Sequence, residues 1–384
     1  MAFFLSFKEI WRNRGRFFLF SLVIALITTL VLFVAGLAEG LAQSNRQYLE
    51  KLNAQLLVFQ QDTQYSTATS RLDRSRLNDI SRIEGVEDVG PIGFASATLV
   101  LPNAKKDLNV SIVGIEPDRP GSPPVIAGRN INSDRSNDIV IDQNAADRAG
   151  IQIGDTIRLR TIQNAKEEFY DLSVIGLTGP RQYQFAPTLF IPYQTWDQIR
   201  PQGGQPSSLV DTTSNVIAVQ LKNPSDQTAI AQRIEGQVPK VDVADIQTAI
   251  KNIPGYSVQQ STLLTQQVFV LLIGILVIGG FFQIQMLQKI PLIGVLKAIG
   301  VTNRTVAWTV VLQIILITTF GVILGSIVTL ALAAGIPPVV PIQFAGSTVT
   351  LAIISLLAIG PIGGLVSVRL AVRVEPLIAL GLSA

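Results

Sequence analysis

Catalytic sites are usually built from histidine, cysteine or paired carboxylates, and this sequence of 384 residues contains no histidine and no cysteine. Disulfides, thiolate metal sites and imidazole acid–base chemistry are therefore excluded. No glycine-rich phosphate loop ending in Lys-Ser or Lys-Thr occurs, so the chain is not its own ATPase by the usual route. The acidic run Glu84-Gly85-Val86-Glu87-Asp88 reads as a solvated turn. What remains is Glu39, an ionisable group near the outer end of a long uncharged run, where such groups are functional by default. Gln43, one turn on, and Gln266 and Gln267, at the corresponding end of a second apolar run, are its candidate polar neighbours on a ligand path. Phe33, Phe269, Phe281 and Phe282 offer apolar walls. The competing reading has Glu39 in interfacial water and the phenylalanines facing lipid.

A second stretch carries mechanics instead of catalysis. Gln288 to Arg304, QKIPLIGVLKAIGVTNR, is a short basic segment between two hydrophobic runs. Pro291 suits the first turn of a helix and Gly300 suits its stop, with Gly294 between them. Leu292, Val295, Leu296 and Ile299 fall at i, i+3, i+4 and i+7, which predicts one apolar face, and Lys297 lies off it. Thr302 is a candidate N-cap for the next helix. So short a helix needs a surface to dock on. It is either an amphipathic connector on lipid headgroups or a docking helix offered to a cytoplasmic partner.

The elements that would position these residues follow from charge. Mean hydropathy is +0.41 and 15% of residues are charged, but the charges are unevenly spread. None lies between Lys251 and Lys289, or between Arg304 and Arg369. The expected layout is an amphipathic N-terminal helix over 1–16 and a first span over 17–41. An extracytoplasmic mixed α/β domain with stalks follows over 42–261, then a second span over 262–286. A coupling-helix loop (287–304), a third span (305–334), a short external loop (335–347), a fourth span (348–368) and a tail (369–384) complete it. A cleaved signal peptide competes for the first run, but that run exceeds a typical h-region of about 7–15 residues.

Within 42–261, strands are expected at Gln55 to Gln60, Gly93 to Leu101, Asn109 to Ile115, Asp138 to Ile141, Thr156 to Thr161, Tyr170 to Ile175 and Pro187 to Ile191. Two more are expected at Asn215 to Leu221 and Val238 to Val243, with helices at Leu72 to Ile83 and Ser225 to Gly236 and another containing Trp196. The loop Pro201 to Ser208 marks an internal boundary, and residues of about 102–205 read as a lobe inserted into a split β-α-β layer. The proposed cytoplasmic pieces hold Lys8, Arg12, Arg14, Arg16, Lys289, Lys297, Arg304, Arg369 and Arg373 against the acids Glu9 and Glu375. That bias puts both termini inside. Gly321/Gly325 and Gly360/Gly364 have the spacing that lets helices approach closely in lipid, although glycine is also simply frequent there.

The run Ile293-Gly294-Val295-Leu296-Lys297-Ala298-Ile299-Gly300 with Asn303-Arg304 resembles the FtsX/MacB-type permeases of ABC transporters. So do Val374-Glu375-Pro376-Leu377-Ile378-Ala379-Leu380 and the N-terminal Lys8-Glu9-Ile10 with Arg12-Asn13. Val31 to Ala42 is similar to the first span of Hrt-type haem-efflux permeases. The resemblance implies a non-catalytic subunit that forms a homodimer in the bacterial plasma membrane. Two copies of a separate ATPase subunit, which bind ATP and Mg, would attach at Pro291 to Gly300. No cofactor or metal in this chain and no nucleic-acid partner is implied. A hydrophobic or amphiphilic substrate, haem-like or lipid, would leave laterally from the bilayer. Without His or Cys, haem iron could be held only by Glu, Tyr, Met or Lys, and Met286 lies at the cytoplasmic end. A relay that regulates an external enzyme without transport, and a lipid-anchor release permease, stay open as alternatives.

Overall fold

The computed structural model describes residues 14–101, 107–201, 213–336 and 340–373. It divides into a membrane unit, Met1–Gly40 with Gln260–Ala384, and an external unit, Leu41–Gln259. Four helices are long and apolar enough to cross a membrane. They are α1 (Arg14–Glu50), α7 (Tyr256–Ala298), α8 (Asn303–Gly335) and α9 (Gly346–Arg373).

In the membrane unit the four helices share one core, with Ile24 and Val31 of α1, Phe282 and Met286 of α7, Ile314 of α8 and Leu356 of α9 buried together. The glycine pairs are packing sites within the chain. A side chain at Gly321 would meet Ile24, and one at Gly325 would meet Thr28 and the Ala25 carbonyl. Gly360 likewise faces Thr318, and Gly364 faces Ile314. Small residues are needed there because little but close contact holds helices together in lipid. The loop before α9 folds onto α1. The Gln343 N–H donates to the Gly36 carbonyl at 3.0 Å, and any side chain at Gly40 would strike the Pro341 carbonyl.

Two expectations need correction here. Pro291 does not start a helix, since it lies inside the 43-residue α7. Proline removes one backbone N–H, and a long apolar helix with neighbours to pack on tolerates that loss in mid-course. Phe281 and Phe282 do not line a ligand path either. Phe282 is a core residue, and Phe281 packs on that core against Phe20.

The external unit is built on a ten-stranded sheet of described residues, in the order β12-β1-β11-β3-β4-β9-β6-β8-β5, with β7 bridging β3 and β8. The strands are β1 (Leu56–Gln60), β3 (Val86–Val100), β4 (Leu108–Ile115), β5 (Val125–Gly128), β6 (Asp138–Asp142), β7 (Thr156–Gln163), β8 (Lys166–Thr178), β9 (Thr188–Pro192), β11 (Val216–Leu221) and β12 (Val241–Asp245). A separate short pair joins β2 (Leu72–Asp73) to β10 (Thr213–Ser214). The first lobe comprises β12, β1, β11 and the start of β3, covered on one face by α2 (Arg74–Ser81) and α5 (Gln227–Gln237) through Ile80, Ile230 and Ile234. The second lobe, from mid-β3 to β9, packs on α3 (Gln143–Ala149) and α4 (Tyr193–Ile199). Trp196 of α4 fills a notch left by Gly93 and Gly114.

On the opposite face both lobes share a core with Tyr48 and Leu49, from the end of α1. Burial on two faces explains the unbroken apolar run of β1, where Leu56 and Val58 enter one core and Leu57 and Phe59 the other. The lobes are joined by β3, which pairs with β11 up to Ile92 and with β4 from there to Leu99. A short α6 (Ile246–Lys251), capped by the Asp245 carboxylate, leads from the first lobe toward α7.

Candidate functional site

The helices α7 and α8 meet at a tight corner. Gly300 has φ +94, the left-handed conformation glycine adopts without strain. The Val301 N–H donates to the Leu296 carbonyl and the Gly300 N–H to the Lys297 carbonyl, both at 3.0 Å, a Schellman stop. Thr302 then caps α8, its hydroxyl accepting from the Thr305 N–H. The Lys297 ammonium donates to the Val372 carbonyl of α9 at 2.8 Å, which fastens the corner to the end of the fourth helix. Ile293 and Gly294 face the bundle, whereas Pro291, Leu292, Val295 and Ile299 are exposed and Leu296 is half-buried. The last turns of α7 therefore offer an apolar outer face on a corner fixed from behind.

Glu39 is half-buried, and its carboxylate accepts from the Thr348 hydroxyl, at the start of the fourth span, at 3.4 Å. Phe33 is half-buried on α1, Gln267 is half-buried on α7, and Gln266 and Phe269 are exposed there. Gln43 is half-buried on the part of α1 that belongs to the external unit. Thr348 of α9 is thus a partner of Glu39 that sequence spacing did not suggest. Lys289 was also missed as an inward group. Its ammonium donates to the Gln313 side chain at 3.0 Å and lies 5.6 Å from the centre of the Phe17 ring.

A further arrangement had no sequence signal. The loop from Pro180 to Phe185 in the second lobe wraps the end of α1. The Tyr48 N–H donates to the Gln182 carbonyl and the Phe185 N–H to the Ser44 carbonyl, both at 3.0 Å. The Gln182 N–H donates to the Gln47 side chain, the Arg181 guanidinium to the Lys51 carbonyl, and the Lys51 ammonium to the Pro180 carbonyl. Burial and the nearby Arg181 charge lower the Lys51 pKa. Behind the loop the Asp142 carboxylate caps α3 and accepts from the Arg181 N–H. Burial pushes this carboxyl up to about 6, although several hydrogen bonds oppose the shift. Gly179-Pro180 marks the start of the loop, but the turn at Gln184-Phe185 has neither glycine nor asparagine to announce it.

The sequence matches the MacB-like periplasmic core domain over residues 17–237 and the FtsX-like permease C-terminal domain over residues 267–376. The chain belongs to the MacB/FtsX family of ABC transporter permeases. It is 27% identical over 379 residues to a protein of Staphylococcus haemolyticus named as the hemin transport system permease HrtB, covering 98% of this chain and 99% of that one. A Staphylococcus epidermidis protein of the same name is 25% identical over 380 residues, covering 98% and 99%. Among solved structures, the periplasmic region of MacB from Actinobacillus actinomycetemcomitans matches at 17% identity and TM-score 0.37, covering 52% of this permease and 92% of that chain. The N-terminal Lys8 to Asn13 and C-terminal Val374 to Leu380 segments lie outside the described residues, as does most of the Pro201 to Ser208 loop.

Proposed function

We propose that this permease is the membrane subunit of an exporter driven by a separate ATPase, and that it expels a hydrophobic or amphiphilic compound, haem-like or lipid, from the bilayer. The observation that carries the reading is the exposed apolar face of Leu292, Val295 and Ile299 on a corner braced by Lys297. Two ATPase subunits with their ATP and Mg would dock there, one on each copy of a homodimer in the bacterial plasma membrane, with both termini cytoplasmic. Glu39, Phe33, Gln43, Gln266, Gln267 and Phe269 are the residues we assign to the substrate path. The relatives named as hemin permeases favour a haem-like cargo. With no histidine or cysteine, such a cargo would be held by carboxylate or phenol oxygens and by apolar walls.

The loop gripping α1 favours a second reading, in which the external unit is moved to regulate an outside enzyme and nothing is transported. The two are separated by reconstituting the permease with its ATPase in haem-loaded vesicles and following the haem absorption band. The exporter reading expects ATP-dependent depletion of haem. No depletion of haem or of a fluorescent lipid, with capture of a hydrolase by the external unit, would favour the relay. ATP hydrolysis by the purified permease alone would overturn both.

A further inference from the structure

The loop that grips α1 also forms a wall of a cleft. On one face of the second lobe the sheet side chains change character along its length. Val113 and Ile115 of β4 lie in the core beneath Tyr48 and Tyr183. Two and four residues back on the same face come Ser111 and Asn109, paired in register with Ser96 and Thr98 of β3. Thr98 is in turn opposite Arg160 of β7. These residues and Gln184 line a cleft of about 480 Å³, within the size range of small-ligand sites, about 300–1,000 Å³.

Arg160 is paired with both Asp107 and Glu167 at 3.3 Å, so its positive charge is spent within the protein and the excess carboxylate disfavours anions. What the floor itself offers a ligand is uncharged hydroxyl and amide groups on Ser96, Thr98, Asn109 and Gln184, the Ser111 hydroxyl being already donated to the Tyr183 carbonyl. Its edge is apolar. Ile162 lines it and is 62% exposed, and Phe169, opposite Arg160 on the same sheet face, is 54% exposed. Phe185, between the lining residues Gln184 and Ala186, is 45% exposed. Uncharged hydrogen-bonding groups with an exposed ring, Phe169, on the strand beside them suit a sugar, whose hydroxyls need such partners and whose C–H faces are drawn to the negative faces of aromatic rings.

The wall is under strain. Tyr183 and Ala186 close a two-residue turn with bonds of 3.2 and 3.1 Å, and Gln184 and Phe185 take φ of 49 and 65. Asn-Gly would suit such a turn, and Gln-Phe does not. The turn is held in part by α1, through the bond from the Phe185 N–H to the Ser44 carbonyl.

The geometry points to a neutral-carbohydrate site on the α1-side face of β3, β4 and β7, beyond the shared core, that is coupled to α1 through the Gln184–Phe185 turn. Occupying the cleft steadies the turn, and a steadier turn holds the end of α1 more firmly. The full-length permease in lipid nanodiscs is the material for the test, with N,N′-diacetylchitobiose and maltotriose as probes and inorganic phosphate and a Gly-Ser peptide as comparators. Saturation-transfer NMR should show contact with at least one sugar at about 10 mM or below. Asn109→Leu combined with Thr98→Val, and separately Phe169→Ser, should weaken it by about tenfold. Sugar should also slow amide exchange at 44–48 and 182–186, and no more in the Asn109→Leu, Thr98→Val protein than its residual binding allows. No transfer to either sugar, equal transfer in the variants, contact with phosphate or peptide only, or binding that leaves exchange at 44–48 unchanged would overturn the proposal.

Discussion

Replacing Ile299 with aspartate tests the docking face without disturbing the fold. Ile299, Leu292 and Val295 are 75, 55 and 44% exposed, whereas their neighbour Ile293 is 5% exposed. Fully burying one aliphatic side chain of this size is worth about 1.5–3 kcal/mol. Scaled by the exposed fractions, Ile299 alone can contribute about 1–2 kcal/mol to a partner that covers it, and the three together about 3–5 kcal/mol as a ceiling. Ile299→Asp removes that share and leaves a carboxylate in the interface, so affinity for the ATPase subunit should fall by at least about tenfold. Leu292→Asp with Ile299→Asp should abolish co-purification. The assay is a pull-down of the ATPase from detergent extract with tagged permease, read beside the thermal unfolding of each variant. Ile293→Asp is the contrast, since it places a charge in the bundle core and should fail to accumulate. ATPase recovery by Ile299→Asp within about twofold of the parent would show that the partner does not sit on this face.

Glu39→Gln keeps the size of the side chain and the acceptor for Thr348 but removes the charge, so it should lower export or ligand-stimulated ATP hydrolysis while ATPase co-purification stays normal. Unchanged activity would leave Glu39 an interfacial group without a role. Gly325→Leu forces a side chain into Thr28 and the Ala25 carbonyl, an overpacking cost of about 1–3 kcal/mol or more. The unfolding temperature in detergent should drop, and an unchanged value would mean that α1 and α8 do not pack there. Asp142 has a raised pKa of about 6 in the fold against 3.8 ordinarily. Its ionisation therefore costs stability, a cost absent below about 3.8 and fully present once pH has risen through about 6. The external unit should gain about 2 kcal/mol from this group on going from pH 7 to pH 4. Unfolding of full-length Asp142→Asn should lack that component, and identical pH profiles would refute the assignment.

The four crossings were legible because charge is intolerable in hydrocarbon, and the two long charge-free stretches after Lys251 state this without ambiguity. Most strands were legible too, because buried β-branched runs such as Val216 to Leu221 stand between turn residues. Signals that depend on partners far along the chain were not. β3 extends from Val86 to Val100, past its expected start at Gly93, because β11 supplies a second partner there, and no local pattern encodes that. Pro291 read as a helix start by local preference, and the surrounding helices override it. Lys289 read as a loop charge, whereas Gln313 and Phe17 receive it inside the bundle. The Gln184–Phe185 turn takes a conformation its residues disfavour, so it could not be found by looking for residues that favour it.

The order of pairing in the large sheet has a consequence for biosynthesis. β1 waits for β11 and β12, which are made more than 150 residues later, whereas the strands between β4 and β9 find one another within a contiguous stretch. As the chain emerges, the inserted half can condense first while the earlier half stands open, its Leu-Leu-Val-Phe strand uncovered until residue 245 has crossed. Truncations that end before β11 should then leave a protease-resistant core of the later-numbered half and a ragged, aggregation-prone beginning.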